Sequence, residues 1–576
     1  MIKHITNLLI VFLATISVSV AQQNVLSQDV KKNLQLRIDN GINTGIVVGV
    51  VTSDGITYYG FGVKSLETNE PVDENSVFEI GSISKAFTGI ILADQVLNGE
   101  VKLDDPLQQY LPDGITAPTR NEVSIQLVHL SNHTSSLPRL PTNMNPGDAA
   151  NPYADYTEEM MYAFLDSHEL TRDIGSQYEY SNYAAGLLGN VLAKNQDLSY
   201  EELMIKTIAK PLGMKNTRIT LSSSMKEDLA MGHSGGVEVA NWDLPALAGA
   251  GAIRSNTIDM IRFIQANMGA KKSKLYPAMQ LSHKNSRDEG ENPIVGLGWH
   301  TSVFGDNSII WHNGGTGGYR TFAGFTKDGK KGVVVLSNSN ASVDDIGVHL
   351  LNPESPLTVI KPSIGRKLRG IFEAEGIEAG VAAYWKLKKD QPDEFDFEEV
   401  ELNTLGYYYL GKEQLEEAIA VFNLNAEAYP ESSNVFDSRG EAYKKQGNKE
   451  KAIEDYKKSV KLNPGNQNAI DVLKEMGVDQ KDVVEEIVIA DAVLAGYVGK
   501  YELVPGFIVT ITKDGSQMKA QATGQPQFPI FPKSENVFYF KVVEAQLTFN
   551  SSEEGVTESV TLHQGGQVIT GKKMEE

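Results

Sequence analysis

Cysteine is absent from this chain of 576 residues. Its absence excludes disulfide bonds, a cysteine nucleophile, cysteine-ligated zinc and a lipidated N-terminal cysteine. The sequence also lacks a His-Glu-x-x-His motif, a dinucleotide-binding fingerprint and a phosphate loop ending in Gly-Lys-Ser/Thr. His129 and His133 form the nearest histidine pair and have no evident third ligand. We therefore expect neither a metal ion nor a cofactor.

Positive charge is scarce as well. The chain has 52 Lys and Arg residues against 74 Asp and Glu residues, which gives a formal net charge of −22. Such a chain repels the phosphate backbone of nucleic acids and the anionic surface of membranes. The charge therefore predicts a soluble protein without a nucleic-acid partner.

Long apolar runs are confined to the N-terminus. Lys3 and His4 precede an apolar stretch at 8–20, and small residues around Ala21 form a cleavage site. This pattern predicts a signal peptide over residues 1–21, with an uncleaved anchor as the alternative. No other stretch approaches the roughly 18 apolar residues of a membrane span. We expect a periplasmic or secreted protein that is not a lipoprotein and has no transmembrane span after signal removal.

The first domain is expected at residues 22–355, because the whole chain is too long for one hydrophobic core. Strands at both ends of this region with helices between them predict an α+β domain whose terminal strands share one sheet. The predicted elements are a hairpin at 46–59, helices at 181–194 and 257–268, and strands at 308–311 and 332–336.

Residues 362–482 change to a helical pattern with an internal repeat. An offset of 34 residues aligns small, aromatic and proline positions, among them Gly406 with Gly440. A looser offset of 38 residues adds a degenerate first unit. This pattern is typical of tetratricopeptide helix pairs, of which about three are needed for a continuous core. The repeats predict either a groove for a protein partner or a spacer between domains.

Residues 489–576 consist of short alternating runs separated by Gly, Asp, Asn and Ser. The runs lie at 497–501, 507–511, 537–540 and 560–562. They predict a small antiparallel sandwich or barrel. We recognise no catalytic group of residues in this region.

Ser82 and Lys85 are the strongest candidates for chemistry. A spacing of three places both side chains on one face of a helix, and apolar residues such as Ile83 and Phe87 support that helix. A serine hydroxyl needs an adjacent base, and a lysine amine of lowered pKa can serve. The free N–H groups of a helix start favour a developing negative charge. Alone the motif is weak, because many solvated helix faces carry the same two residues.

Tyr180-Ser181-Asn182 precedes an apolar helical run, so that Tyr180 and Asn182 can project from a loop into a cleft. A tyrosine beside a lysine ammonium is expected to have its phenolate favoured, which suits a carrier of protons. Asn182 would hold the substrate, or it would only cap the helix.

His312-Asn313-Gly314-Gly315 ends an apolar strand. Its glycines let a substrate approach the backbone closely. A backbone N–H here, together with that of Ser82, would form an oxyanion hole. The alternative is a glycine-rich turn between two strands.

In this order, the three motifs resemble those of the penicillin-recognising serine hydrolases. Within these the chain is most similar to the branch of class C β-lactamases, D-aminopeptidases and family VIII esterases. The resemblance covers about residues 30–352 and includes flanking segments at 103–112, 127–138, 211–214, 248–253 and 296–299.

The resemblance implies a β-lactamase or penicillin-binding-protein fold in which Ser82 is acylated and Lys85 activates it. Tyr180 would pass protons to the leaving group and later activate water. Asn182 would hold the substrate amide. The N–H groups of Ser82 and Gly315 would form the oxyanion hole, whereas His133 is interpreted as a turn residue.

Two positions depart from the family pattern. Ser136 stands where the flank usually has glycine, which affects the geometry of a turn. His312 stands where a lysine usually binds the substrate carboxylate, and histidine, with an unperturbed pKa near ~6.5, is mostly neutral at pH 7. We therefore expect weak β-lactam turnover and a preference for esters or peptides that lack this carboxylate. Arg320 is a candidate for the missing charge, and a surface arginine is the alternative.

The leading prediction is an exported serine hydrolase that forms an acyl-Ser82 intermediate on a β-lactam, a D-amino-acid peptide or a carboxylic ester. The alternative is a penicillin-recognising binding or sensor protein that uses the repeats for protein interaction. The combination of Ser82, Lys85, Tyr180 and Asn182 favours the enzyme, because a scaffold has no physical need for these four residues together.

Overall fold

The computed structural model describes residues 25–574, except 288–292, 480–486, 488, 505–506, 524, 526, 541–542, 544, 553–554 and 565–566. The predicted signal peptide at 1–21 therefore lies outside the described residues. The chain divides into two compact units, the first ending at Ile360 and the second beginning at Lys361.

The strands of the first unit are β1 (Gly45–Thr52), β2 (Gly55–Gly62), β3 (Val77–Glu79), β4 (Thr119–Arg120), β5 (Val123–Ser124), β6 (His233–Ser234), β7 (Val237–Glu238), β8 (Arg254–Asn256), β9 (Ile294–Val295), β10 (His300–Phe304), β11 (Asn307–Gly315), β12 (Arg320–Thr326) and β13 (Gly332–Ser337). Seven of these strands form an antiparallel sheet in the order β2-β1-β13-β12-β11-β10-β9. The strands β3 and β8 pair separately.

The helices of the first unit are α1 (Gln28–Asp39), α2 (Ser84–Leu97), α3 (Leu127–Ser131), α4 (Glu158–Ser167), α5 (Asn182–Lys194), α6 (Tyr200–Met204), α7 (Lys210–Leu212), α8 (Ser223–Glu227), α9 (Ala248–Gly251), α10 (Thr257–Asn267), α11 (Tyr276–His283) and α12 (Asp344–Leu351). Short 3-10 helices lie at Gly81–Ile83 and Leu107–Tyr110, and a π-helical turn lies at Ile205–Ala209.

Strand β1 shows why this sheet carries helices on both faces. Alternate residues of a strand point to opposite faces, yet residues 45–51 are all buried. On one face Val47 packs into the core that contains α2 and α10, and on the other face Val48 packs with α1 and α12. β1 pairs with β13 from Ile46 opposite Ser337 to Val51 opposite Gly332. The prediction that the two ends of this α+β domain share one sheet is confirmed.

Helical repeats begin the second unit, as predicted. Their helices are α13 (Ile364–Glu375), α14 (Ile377–Asp390), α15 (Glu399–Gly411), α16 (Leu415–Ala428), α17 (Ser433–Gln446), α18 (Lys449–Leu462) and α19 (Gln467–Glu475). A Cβ on Gly406 would lie 2.4 Å from Phe422, and one on Gly440 would lie 3.2 Å from Tyr456. The offset of 34 residues thus reflects one packing motif, in which a glycine of the first helix receives an aromatic ring of the second.

A closed barrel ends the second unit. It follows α20 (Asp491–Tyr497) and consists of β14 (Gly499–Val504), β15 (Phe507–Asp514), β16 (Gln517–Ala522), β17 (Phe528–Pro532), β18 (Val537–Phe540), β19 (Ala545–Ser551), β20 (Thr557–Gln564) and β21 (Gln567–Lys573). Neighbouring strands are antiparallel, and β14 pairs with β21, so the fold is a barrel rather than a sandwich. Tyr497, expected in the first strand, instead ends α20, where its ring stacks on Phe549 at 4.2 Å. No helix in the described part of the chain is long and apolar enough to cross a membrane.

Candidate active site

Ser82 lies in a tight turn directly before α2. This turn is the 3-10 helix Gly81–Ile83, and α2 continues from Ser84 with Lys85 in its first turn. Lys85 is 2% exposed, and its Nζ lies 3.0 Å from Ser82 Oγ. The structure therefore brings the two side chains into hydrogen-bond contact, as their spacing predicts.

Lys85 Nζ has two further partners, and both can only accept hydrogen bonds. It donates to Asn182 Oδ1 at 2.8 Å and to the carbonyl oxygen of Ala250 at 2.7 Å. Burial, followed by the positive charge of Arg139, lowers the pKa of Lys85 well below its usual value. A neutral amine gives its two protons to these two acceptors, which leaves the nitrogen lone pair for the hydroxyl of Ser82.

Asn182 is the first residue of α5, and Ser181 caps this helix. Ser181 Oγ accepts a hydrogen bond from the N–H of Ala184 at 2.9 Å and donates one to the carbonyl oxygen of Pro138 at 2.6 Å. The Asn182 side chain accepts a hydrogen bond from Lys85 instead. The alternative in which Asn182 serves only as a helix cap is therefore wrong.

Tyr180 packs against two cationic side chains and an imidazole. Its ring centre lies 4.9 Å from Lys85 Nζ, 5.2 Å from Arg139 Cζ and 4.5 Å from the ring centre of His133. Burial raises the pKa of Tyr180 and outweighs a hydrogen bond with Ser82 and the charge of Arg139. The expectation of a favoured phenolate is therefore wrong, since loss of hydration disfavours the charged form more strongly than its neighbours favour it.

His133 and Ser136 shape the loop beneath Tyr180. Their φ angles are +64° and +63°, in the left-handed region. His133 Nδ1 accepts a hydrogen bond from the N–H of Ser181 at 3.2 Å, which fits its interpretation as a turn residue. The positive φ of Ser136 explains why glycine suits this position.

His312 lies on β11 and is uncharged. Its Nδ1 donates to the carbonyl oxygen of Asn313 at 2.5 Å. Its Nε2 is therefore an acceptor, and it is buried without a hydrogen-bond partner among the described residues. Burial, and after it the charges of His300 and Lys85, hold the pKa of His312 well below its usual range. On β11 the protein therefore has a neutral hydrogen-bond acceptor, His312 Nε2, at the position where the family usually has a lysine cation.

The glycines at the end of β11 approach the Ser82 turn very closely. A Cβ on Gly314 would lie 2.0 Å from the carbonyl oxygen of Ile80, and a Cβ on Gly81 would lie 2.7 Å from the nitrogen of Gly315. Only glycine fits such contacts. They place the backbone of Gly315 beside the turn that carries Ser82, where an oxyanion hole is predicted.

Arg320 stands opposite Gly315 in the pairing of β11 with β12. Its Nη1 donates to the carbonyl oxygens of Thr316 at 2.9 Å and Tyr319 at 3.0 Å. The guanidinium therefore holds the turn that follows β11. A role for Arg320 in binding substrate stays a prediction.

A buried ion pair behind the site was missed by the sequence analysis. Arg254 Nη2 lies 3.1 Å from Glu79 Oε1, and these side chains are 8% and 4% exposed. Glu79 Oε1 also accepts a hydrogen bond from the N–H of Trp242 at 3.0 Å. Trp242 and Tyr153, whose rings lie 5.2 Å apart, line the cleft beside Ser82. In the sequence, only the position of Glu79, an acidic residue within the apolar segment before Ser82, could have indicated a buried ion pair.

The imidazoles near Tyr180 are not arranged as a metal site. His133 and His312 each have a ring nitrogen bonded to the backbone, and the ring centres of His300 and His312 lie 5.0 Å apart. In the described part of the chain, no group of three or more His, Cys, Asp or Glu side chains is placed to hold a metal ion. We assign no residue of the site to a metal or a cofactor.

The sequence profile of the Beta-lactamase family matches residues 30–351, which is more than half of the chain. The chain belongs to the β-lactamase family. This membership confirms the resemblance seen in the motifs, and it makes the protein an enzyme of the serine hydrolase type.

Two curated members of the β-lactamase family illustrate the similarity. The D-alanyl-D-alanine-carboxypeptidase/endopeptidase AmpH of Escherichia coli (strain K12) is 30% identical over 334 residues, which cover 55% of this chain and 81% of the relative. A β-lactamase of the same strain is 26% identical over 330 residues, covering 51% of this chain and 84% of the relative.

Solved structures of the β-lactamase family support the fold of the first unit. A class C β-lactamase has a TM-score of 0.52 at 23% identity and covers 59% of this chain and 99% of its own. A β-lactamase/D-alanine carboxypeptidase from Pseudomonas syringae has a TM-score of 0.50 at 20% identity, covering 57% and 98%.

The second unit matches two other families. A tetratricopeptide repeat profile matches residues 438–466, which include most of α17 and all of α18. A family described as a Domain of unknown function (DUF3471) matches residues 486–573, which include the barrel strands. The predicted kind of helical repeat is thus confirmed, whereas the barrel match brings no activity with it.

Proposed function

We propose that the protein is an exported serine hydrolase that cleaves an amide or an ester through an acyl-Ser82 intermediate. The contact between the buried Lys85 amine and Ser82 Oγ, at 3.0 Å, is the observation that carries this proposal. Export rests on the predicted signal peptide at 1–21 and would place the enzyme in the periplasm or outside the cell.

Lys85 is proposed to be the base that activates Ser82. Burial, followed by the charge of Arg139, lowers its pKa and so favours the neutral amine, and its bonds to Asn182 and Ala250 aim the lone pair at the serine hydroxyl. Ser82 Oγ then attacks the substrate carbonyl carbon while its proton passes to Lys85 Nζ. The N–H groups of Ser82 and Gly315 would stabilise the negative oxygen of the tetrahedral intermediate.

Tyr180 is proposed to protonate the leaving group. Because its pKa is raised, its hydroxyl keeps its proton until the intermediate collapses. The leaving group takes that proton, and Tyr180 regains one from Lys85, whose Nζ lies 4.9 Å from the tyrosine ring centre. Overall, the serine proton reaches the leaving group. Hydrolysis of the acyl-enzyme would reverse this path, with water giving its proton to the same pair.

Peptides and esters are the proposed substrate class. The name of the E. coli relative, a D-alanyl-D-alanine-carboxypeptidase/endopeptidase, supports peptide substrates. The uncharged His312 supports low activity on β-lactams, because it does not give the substrate carboxylate a cation on β11. The helical repeats are the part of the chain proposed to bind a protein partner.

The proposal is tested by labelling and by a substrate panel. Wild type and Ser82→Ala are treated with a fluorophosphonate and a fluorescent penicillin, and both are assayed with nitrocefin, short-chain 4-nitrophenyl esters and D-Ala-D-Ala peptides. We expect Ser82→Ala to lose the label and to lower kcat by at least about a thousandfold. Ser53→Ala, at an exposed serine, is the matched control.

Two outcomes contradict the hydrolase. Labelling of Ser82 without turnover of any substrate supports the binding or sensor protein instead. Failure of every acylating probe to label the wild type rejects Ser82 as a nucleophile.

A further inference from the structure

Arg139 is an exposed cation beside the catalytic residues. Its Cζ lies 5.2 Å from the ring centre of Tyr180. Two arginines nearby in the sequence are paired: Arg120 contacts Asp173 at 2.9 Å and Arg172 contacts Glu179 at 2.5 Å. No ion-pair partner of Arg139 occurs among the residues that the structure describes. Its guanidinium therefore remains available to an anion from solution.

The backbone of Arg139 is fixed to the catalytic motif. Its carbonyl oxygen accepts hydrogen bonds from the N–H groups of Asn182 at 3.0 Å and Tyr183 at 3.2 Å. The preceding carbonyl, of Pro138, accepts the hydroxyl of Ser181. The backbone position of this arginine is therefore set by the same contacts that place Tyr180 and Asn182.

The positive charge of Arg139 affects the pKa of three side chains in or near the cleft. Its charge adds to the burial that lowers the pKa of Lys85, and it opposes the larger effect of burial that raises the pKa of Tyr180. It acts in the same direction on Tyr153, which lines the cleft beside Ser82. Because Arg139 Cζ lies 5.2 Å from the ring centre of Tyr180, and Tyr180 is hydrogen-bonded to Ser82, an anion on a substrate held at Ser82 would lie near this charge.

The other positively charged candidates of the site are engaged. Arg320 donates to the carbonyl oxygens of Thr316 and Tyr319, and Lys85 is the proposed base. His312 carries no charge. A substrate anion therefore has Arg139, on the loop between α3 and α4, as its partner rather than a residue of β11.

We propose that Arg139 binds a carboxylate of the substrate beside Tyr180 and gives the enzyme a preference for acidic substrates. This inference rests on the proposed hydrolase function. A guanidinium pairs with a carboxylate through two parallel hydrogen bonds, which orients the substrate as well as attracting it. The group recognised here differs in position from the carboxylate that a lysine on β11 would bind, so low β-lactam activity and a preference for acidic substrates are compatible.

Two matched substrate pairs test this inference. The first pair is N-succinyl- and N-succinamoyl-D-alanine 4-nitrophenyl ester, which differ only in a carboxylate or a carboxamide at the end of the acyl side. The second is a D-Ala-D-Ala peptide and its C-terminal amide, which differ by a carboxylate on the leaving group. The measured quantity is the ratio of kcat/KM between the acidic and the neutral member of each pair.

We expect the second pair, whose carboxylate is the one that a lysine on β11 would bind, to show a ratio close to one, and wild type to favour the acidic member of the first pair by about fivefold at low salt, mainly through KM. Arg139→Gln should bring this ratio close to one, Arg139→Lys should keep part of it, and Arg139→Glu should invert it. About 0.5 M salt should weaken the preference of wild type. Lys272→Gln makes the same change in net charge at an exposed lysine between α10 and α11, and it should keep the wild-type ratio.

The inference is overturned if Arg139→Glu and wild type show the same ratio in both pairs. It is also overturned if the Arg139 variants lower kcat equally for both members of each pair, since that is the result of a purely structural role. If no substrate is hydrolysed and Ser82 takes no fluorophosphonate label, the proposed function fails and the inference with it. Labelling and ester hydrolysis that persist without a charge preference reject Arg139 alone.

Discussion

Gly81 and Gly315 are in such close contact that a Cβ on Gly81 would lie 2.7 Å from the nitrogen of Gly315. The φ of Gly81 is +53°, a conformation that other residues adopt only with strain. This glycine pair joins the turn that carries Ser82 to the end of β11. It therefore sets the separation of the two N–H groups proposed as the oxyanion hole.

Gly81→Ala should remove activity while leaving the protein folded. We expect kcat for an ester to fall by about a hundredfold or more, because displacing one oxyanion donor has an effect of this size. Gly99→Ala is the matched control, since its φ is +74° but nothing lies within 4 Å of a Cβ there. Gly99→Ala should lose about 1 kcal/mol in the free energy of unfolding, measured with urea. Gly81→Ala should lose more, because its Cβ also meets the backbone of Gly315. Equal kcat values for the two variants would contradict the role of the Gly81 contact.

The rate of Ser82 acylation should follow the loss of a proton from Lys85. Because burial and Arg139 lower the pKa of Lys85, the rate of fluorophosphonate labelling should rise with pH and level off well below pH 10.5. Arg139→Gln removes one of these two causes and should move the rise to higher pH. Labelling by wild type that still increases near pH 10 would show an ordinary lysine and sink this prediction.

The buried ion pair of Glu79 and Arg254 should give non-additive losses of stability when its two residues are substituted. Arg254→Met leaves the Glu79 carboxylate buried without its cation, which typically lowers the free energy of unfolding by about 3–5 kcal/mol. Adding Glu79→Gln removes the unpaired charge, so the double variant should be more stable than Arg254→Met alone. Urea unfolding of the two single variants and the double variant gives the coupling energy. Additive losses would show that the two residues act independently.

The sequence predicted the elements whose pattern is local. Continuous apolar runs placed β1 and β13 at the two ends of one domain, and a spacing of three brought Ser82 to Lys85. The contact of Lys85 with Ala250 joins residues 165 positions apart, and no local pattern indicates such a pair. The pKa of Tyr180 was expected in the wrong direction, because burial arises only when distant segments pack around the ring. For the same reason Arg320 was considered as the substrate cation, whereas the exposed guanidinium beside Tyr180 belongs to Arg139.

Acid should destabilise the first unit through its buried neutral imidazoles. The pKa values of His133 and His312 are held well below 6.5 in the folded state, so the unfolded chain binds protons that the folded chain does not. The stability that they provide is fully present above pH ~6.5. As the pH falls toward their folded pKa values, the free energy of unfolding decreases by up to about 1.4 kcal/mol per pH unit for each histidine. Urea unfolding of wild type and His312→Asn between about pH 7 and 5 measures this loss in the free energy of unfolding. The variant should show the smaller loss, and identical losses would refute the assignment of His312.

His312→Lys should shift the substrate preference toward β-lactams. The buried Nε2 of His312 has no partner among the described residues, and an amine there would give a carboxylate a charge-assisted hydrogen bond. Such a bond corresponds to about a tenfold or larger gain in nitrocefin turnover relative to a neutral 4-nitrophenyl ester. His312→Met, which has a side chain of similar length and no charge, separates the effect of the cation from that of a changed shape. A gain in both variants, or in neither, would show that charge at this position does not decide which acyl group Ser82 accepts.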